Sequence, residues 1–487
     1  MQLYQEFLEH VTQHYSEQSW FALLREVARY VYHHKQPTRE ELIAQPADVT
    51  SVVPLEAGAN SSRTDLSVRR RGGHPSGAAA NATTLRGKRA AVVSFSPYPG
   101  DPRPRRAAEA LANEGMNVEV ICLAETVSSP RRETFKGVEI LRIPLKHHRG
   151  TVLEYFLRYA VFIMMAFAVL GARSLIRRYD LVHVHNMPDV LVLTSLIPKA
   201  FGAKVILDLH DPMPELMMTI FNLQRDSMLV QVMARLEKWS VAIADVVITV
   251  NRACQKLFIS RGCPAEKIRV VMNSPDESIF KFCPPRSESR PPDETKRPFV
   301  IMYHGTLVER NGLDLAVEAL ARVRESIPRA ELRIYGHPTA FLERVMSSAA
   351  KKGLHEAVHY LGPRQLEQLV QAIEECDVGI IPNNRSIFTE INTPTRIFEY
   401  LALGKPVIAP RAPGIQDYFG DESLVSFELG NAEDLALKLA HVFSHPDKAL
   451  EVVKRGQQVY LAHTWQEERT KLVNVAAELL STDHRMD

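Results

Sequence analysis

Two doubly wound α/β domains in tandem, facing a central cleft, are what this sequence predicts, and three observations carry the prediction. From Arg89 to about residue 280, apolar runs of strand length alternate with helical patterns, and alternating β and α units build a parallel sheet covered by helices on both faces. A stretch dense in proline and charge, FCPPRSESRPPDETKRP, interrupts the alternation as a domain linker does. The alternation then restarts at FVIMYHGT. At roughly 150 residues per domain, a chain of 487 residues holds two domains and an extension.

Residues 1–35 place Leu3, Phe7 and Val11, then Trp20, Leu23, Val27 and Val31, at helical spacing, which predicts one or two amphipathic helices. Residues 36–88 are poor in aromatics and rich in Ser, Ala, Gly, Arg and Pro. Such a stretch does not offset its ordering entropy and reads as a disordered tether, its Arg69-Arg70-Arg71 run a solvated charge cluster. The first domain spans 89–280: the strand AAVVSFSP opens into Pro97-Tyr98-Pro99-Gly100, a helix runs from about Pro104 to Glu114, and the strands NVEVICL, DLVHVHN, KVILDLH and DVVITVN follow. After a linker at 281–297, the second domain (298–463) has the strands FVIMYHGT, AELRIYG, AVHYLG, DVGIIPN, KPVIAP and SLVSFEL, and a closing helix covers 464–480.

The most apolar stretch runs from Thr151 to Arg178, yet only 14 residues separate Arg158 from Arg173. A spanning helix needs about 20, and a charge at the bilayer centre costs roughly 2.5–3.5 kcal/mol. The stretch therefore reads as a buried crossover helix. The alternative is an interfacial helix on anionic headgroups, which Arg158, Arg173, Arg177, Arg178 and the nearby His147-His148-Arg149 favour.

Hydrophobic residues make up 45% and charged residues 24% of the chain, with a net charge of +2, which excludes fibrous or wholly disordered chains and argues against nucleic acid as a partner. Cys122, Cys254, Cys263, Cys283 and Cys376 are scattered and odd in number, so neither a disulfide framework nor a zinc knuckle is expected. The N-terminus lacks an apolar run with a small-residue cleavage site, so a cytoplasmic location is expected.

Ligands of open α/β sheets bind beyond the carboxyl ends of the strands, which singles out three loops. In INTPTRIFEYLALGKPVIAP, Asn392 and Thr393 precede Pro394 as an N-cap precedes a first-turn proline. A helix starting there offers free N–H groups to a diphosphate, with Glu399 about one and a half turns on, within reach of a ribose. MYHGTLVERNGLDL ends a strand at Gly305 and starts a helix after a second glycine, with Thr306, Arg310 and Asn311 between them and Arg310 its only cation. KVILDLHDPMPE sets His210, Asp211 and Glu215 behind a strand. Each loop also has a structural reading: a well-capped helix with a surface Glu, a helix-terminal Arg, a turn with a satisfied histidine. His183 and His185 share one strand face, but no third ligand sits at a metal spacing, and no metal site is expected.

The TPTRIFEYLALGKPV segment, with the APGIQDYF turn after it, resembles the C-terminal signature of family 4 retaining glycosyltransferases, and the resemblance covers about residues 89–480. It implies the GT-B fold, two Rossmann-like domains around a donor–acceptor cleft, and an E-x7-E pattern whose second Glu, here Glu399, binds the donor ribose. The place of the first Glu holds Ile391. Either Glu390, one residue earlier, reaches the donor sugar from a shifted loop, or backbone amides take that part. The GTLVERNG loop resembles the family's G-R-x-x-x-x-K-G, with Thr306 and Asn311 at the two cation positions, so the charge opposite the leaving diphosphate falls to Arg310.

His210 matches the family's histidine loop, contacting donor sugar or acceptor, with Asp211 facing the cleft. Gly336 ends ELRIYG where the family packs backbone against the nucleotide. YPGDPRPR stands at the family's first glycine loop, with Gly100 permitting close approach to an acceptor and Arg103 at the same opening. The closing helix commonly crosses back to the first domain.

The expected activity is retaining transfer of a sugar from a UDP- or GDP-type nucleotide-sugar donor to a hydroxyl of a glycan or lipid-linked acceptor, in polysaccharide or glycolipid biosynthesis, without metal or further cofactor. The expected place is the cytoplasm, with peripheral contact at the inner membrane face. A GT-B epimerase or phosphorylase and a catalytically silent scaffold are the alternatives. The missing first Glu and the altered GTLVERNG loop keep the scaffold in play.

Overall fold

The computed structural model describes residues 84–126, 128–145, 152–285 and 297–481, without the side chains of 152–156. The expected helices of 1–35, nearly all of the 36–88 tether, His147-His148-Arg149 and most of the 281–297 linker lie outside the described residues.

In chain order the first domain comprises β1 (Arg89–Pro97), α1 (Pro102–Asn113), β2 (Asn117–Leu123), β3 (Arg132–Phe135), β4 (Val138–Ile143), α2 (Val152–Ile176) and β5 (Leu181–His185). A 3₁₀ turn (Asp189–Ser195) follows, then α3 (Leu196–Ala200), β6 (Lys204–Leu209), α4 (Met213–Phe221), α5 (Met228–Ile243), β7 (Val246–Thr249), α6 (Arg252–Ser260) and β8 (Ile268–Val270). The sheet order is β3-β4-β2-β1-β5-β6-β7-β8, parallel except for β3 against β4. Sequence reading passed over that hairpin, although its turn, Lys136-Gly137, has positive φ at both residues, the arrangement tight hairpins prefer.

Period-2 alternation sorts each central strand between two helix layers. Ala90 and Val92 of β1 join the core beneath α1, while Ala91 and Val93 join the core beneath α2 and the 3₁₀ turn. Helix α1 starts where Asp101 accepts the Arg103 amide (3.2 Å) and Pro102 fills the first turn, a start needing no further partner.

The second domain comprises β9 (Phe299–His304), α7 (Leu313–Ser326), β10 (Ala330–Tyr335), α8 (Ala340–Lys351), β11 (Val358–Tyr360), α9 (Leu366–Glu375), β12 (Val378–Ile380) and α10 (Ile387–Ile391). Then come α11 (Thr395–Ala402), β13 (Val407–Arg411), α12 (Pro413–Gln416), β14 (Val425–Glu428), α13 (Ala432–Ser444), α14 (Pro446–Leu461) and α15 (Trp465–Ser481). Its all-parallel order, β11-β10-β9-β12-β13-β14, reverses direction between β9 and β12, and the first sheet does so between β1 and β5. Such switch points leave a crevice at the strands' carboxyl ends.

Helix α15 returns to the first domain. Leu472, Val473, Ala476 and Leu480 enter the core beneath α1, Arg469 pairs with Glu114 (2.6 Å), and Glu468 accepts the Met272 amide (2.8 Å). A second seam joins α6 to α10–α12: Asn251 donates to the Ile391 carbonyl (2.9 Å), the Arg252 amide to the Tyr418 hydroxyl (2.9 Å), and Lys256 pairs with Asp417 (2.5 Å).

Candidate donor site at the β9–β12 switch point

Strand β9 ends in His304 and Gly305. Gly305 has φ +125° and Gly336, which follows β10, has φ +156°. A Cβ on Gly336 would meet the Gly305 carbonyl oxygen at 2.2 Å, so two backbones approach here as only glycine permits. The loop after Gly305 is closed internally. Asn311 donates to the Thr306 carbonyl (2.8 Å), and Asn384, from the loop after β12, donates through its amide to Arg310 O (3.0 Å) and through its side chain to Glu309 O (2.8 Å). Asn311, expected among the donor contacts, is occupied in shaping its own loop.

Arg310 is different. Its guanidinium stands over the Phe388 ring (5.8 Å), and no hydrogen bond to it is present among the described residues. Burial pushes its pKa down, and Asp211 of the first domain and Tyr303 of the second oppose that shift.

The helix start expected at Asn392–Thr393 lies slightly further on. α11 begins at Thr395, Pro394 is its N-cap, and no side chain caps it. The Thr393 hydroxyl is turned away, donating to the Gly414 carbonyl (2.6 Å). The first amides of α11 therefore keep no side-chain partner, and a helix start in that condition accommodates an anion.

Two residues that sequence reading did not single out complete the site. Arg396, in the first turn of α11, donates to the His304 carbonyl (2.6 Å) and stacks over Tyr303 (4.8 Å), beside Gly305. A cation there opposes the helix dipole, and that misfit was the available signal. His304 places Nε2 2.6 Å from Glu399 Oε2 and Nδ1 2.9 Å from the Tyr400 hydroxyl, which donates to Met302 O (3.0 Å). Tyr400 thus fixes the imidazole, the imidazole fixes one Glu399 oxygen, and the second carboxylate oxygen stays available.

Glu390 does not join this group. It stands 3.8 Å from Arg385, which also reaches Leu429 O and Glu428. One residue along a helix turns a side chain by about 100°, and Ile391 holds the direction toward the first domain, packing against its core and accepting from Asn251.

In the first domain His210 follows β6, its amide donating to Asn186 Oδ1 (3.1 Å) and its buried Nδ1 without a partner among the described residues. Asn186 also donates to Asp189 (2.9 Å) and to the Asp211 carbonyl (2.8 Å), so this asparagine, missed in sequence, sets the loop.

The acceptor-side expectation for Arg103 is corrected. It is buried in a forked pair with Asp208 (2.7–3.0 Å) and donates to Val271 O and Asn273, leaving little for a ligand. Gly100 has ordinary φ, and a Cβ there would meet only Pro97 O at 3.6 Å, so packing does not require glycine. Glu215 is buried as well: its Oε1 pairs with Arg261, which Glu237 also reaches, and its Oε2 has no partner among the described residues.

Asp208 also supplies the third ligand atom that spacing did not reveal, within 4.8 Å of His183 and His185. Burial pushes the His185 pKa down to about 4. For Asp208 burial acts upward, but Arg103 and the two histidines outweigh it and hold the carboxyl well below the usual range. With the carboxylate gripped by Arg103, a divalent cation would sit against a guanidinium, which Coulomb repulsion opposes.

Two doubly wound domains with paired switch points and a helix crossing back define a GT-B protein with a candidate nucleotide cradle. Residues 101–274 match the glycosyl transferase 4-like domain and residues 286–459 match glycosyl transferases group 1. The chain belongs to the group 1 glycosyltransferases. It is similar to the amylovoran biosynthesis glycosyltransferase AmsK of Erwinia amylovora, 25% identical over 175 residues, 36% of this chain and 41% of that protein.

Its structure resembles sucrose-phosphate synthase from Thermosynechococcus elongatus (TM-score 0.66, 18% identity, covering 81% of this chain and 100% of that one). It also resembles Anabaena HepE in complex with UDP and glucose (TM-score 0.59, 18% identity, 81% and 100%). The chain spans about half the length of the curated relatives it matches.

Proposed function

We propose that the chain is a retaining glycosyltransferase that binds a nucleotide sugar at the β9–β12 switch point and transfers the sugar to an acceptor hydroxyl, without a dedicated metal. One observation carries the reading: the uncapped start of α11, with Arg396 and Glu399 on its first two turns, is held against the close-packed Gly305–Gly336 pair. Helix amides and Arg396 receive the diphosphate, and the open oxygen of Glu399 receives the ribose. Arg310, whose guanidinium makes no hydrogen bond among the described residues, meets the charge that grows on the leaving phosphate as the glycosidic bond loosens.

The donor class is UDP-sugar, in line with the neighbour solved with UDP and glucose. The setting is polysaccharide or glycolipid assembly, in line with the amylovoran relative. The place is the cytoplasm.

A thermal-shift screen against UDP, GDP, ADP and their sugars tests the reading, because a ligand that binds only the native state raises its stability by mass action. UDP and UDP-sugars should raise Tm, and Arg310→Ala should lose turnover while keeping most of that shift. One observation favours the silent scaffold: Ile391, at the first-Glu position, packs into the seam. A well-folded protein that shifts with none of these ligands would decide for that scaffold.

A further inference from the structure

Helix α2 is a crossover helix with the wrong outside. Its inner stripe, Phe162, Ala166 and Leu170, is buried in the first domain's core, so the helix is committed to the fold and does not span a bilayer, although Leu157–Ile176 is long and apolar enough by composition. The opposite stripe of a surface helix should be polar. Here it reads Leu157, Ala160, Met164, Ala168, Ala172 and Leu175, all exposed, with Met164 at 61% and Leu175 at 72%.

The stripe does not stand alone. The 3₁₀ turn Asp189–Ser195 touches both α2 and α5, and Leu193 and the adjoining Leu196 are exposed between them. On α5, Met228, Val232, Arg235 and Trp239 recur at helical spacing on the outer side, Met228 at 82% and Trp239 at 66% exposure. All three elements cover the same face of the sheet. Monomeric soluble proteins rarely leave so long an apolar strip open to water.

The exposed charges on the two helices of the strip are basic, although the exposed Asp226 stands just before α5. Among the described side chains of α2 and α5 the sole acid is Glu237, buried against Arg261. Arg158, Arg235 and Lys238 carry no described acidic partner, and Arg177 and Arg178 are exposed just past α2. An apolar stripe fringed by arginine and lysine, with a tryptophan at its edge, matches the acyl–headgroup boundary of an anionic leaflet.

We propose that the outer face of α2, the 3₁₀ turn and α5 docks the first domain onto an anionic lipid bilayer surface, the helices lying in the interface. This rests on the surface itself and is independent of the donor-site reading.

The test is co-sedimentation of the full chain with vesicles of phosphatidylcholine alone and of phosphatidylcholine with phosphatidylglycerol in equal part, while Trp239 fluorescence is followed. The protein should bind the anionic vesicles, more weakly as salt is raised, with a blue shift that Trp239→Phe abolishes. Met164→Glu and Trp239→Glu, at exposed positions, should each weaken binding about tenfold without changing Tm or the nucleotide-induced shift. Equal binding to neutral vesicles, or anionic binding that both variants leave intact, overturns the proposal. So does a dimer that these variants convert to monomer while vesicles are ignored, which would make the strip a contact between copies of the chain.

Discussion

Buried charge is arranged differently in the two domains. In the first, Asp208 is gripped by Arg103, Glu215 and Glu237 share Arg261, and Glu119 pairs with Arg173. Those groups answer one another. In the second, at the β9–β12 switch point and among the described residues, Glu399 is held by one oxygen, Arg396 by one carbonyl and a ring face, and Arg310 by a ring face. Charges that face each other hold a fold together. Charges aimed into a crevice with donors and acceptors to spare are placed for something that arrives later.

If that contrast is right, substitutions in the first set should act on stability and those in the second on chemistry. The largest effect is expected for Arg103→Met, which strands the Asp208 carboxylate in the core and should lower unfolding free energy by about 3–5 kcal/mol, measured by denaturant titration. A loss below about 1 kcal/mol would break the contrast. Next, Arg396→Ala should reduce turnover about 10²–10³-fold, the range for removing one preorganised donor from a developing anion, with little change in Tm. A large stability loss and unaltered turnover would move Arg396 to the structural side.

The smallest effect sharpens the comparison from within the first domain, because Arg261 serves two carboxylates. Burial pushes the Glu237 pKa up to about 8 from an ordinary 4.5. As pH rises between those values the unfolded chain releases the proton while the folded protein keeps it, so this group lowers stability with rising pH and does nothing below the window. Glu237→Gln removes the penalty. Its stability relative to the parent should improve steadily as pH rises from roughly 5 to 8, and a pH-independent difference would contradict the raised Glu237 pKa.

The same contrast explains what was legible in the sequence. Strands such as FVIMYHGT and KVILDLH announce themselves by local pattern, and the TPTRIFEYLALGKPV segment by its turn chemistry, because both depend on neighbours in sequence. Arg103 looked like an opening residue because its partner, Asp208, lies 105 residues away. His304 looked like the end of a strand because Glu399 is 95 residues off. Glu390 was reachable on paper, and only the helix phase that gives Ile391 to the seam turns it toward Arg385. The β3–β4 hairpin could have been found from its Lys136-Gly137 turn.

The most direct test of the donor cradle is a calorimetric titration of UDP into the parent protein and Glu399→Gln. The account predicts one site, weakened about tenfold or more by loss of a charged hydrogen bond to the ribose, with an unchanged melting temperature. Equal affinity in the two proteins would contradict it, and with it the placement of the nucleotide on α11.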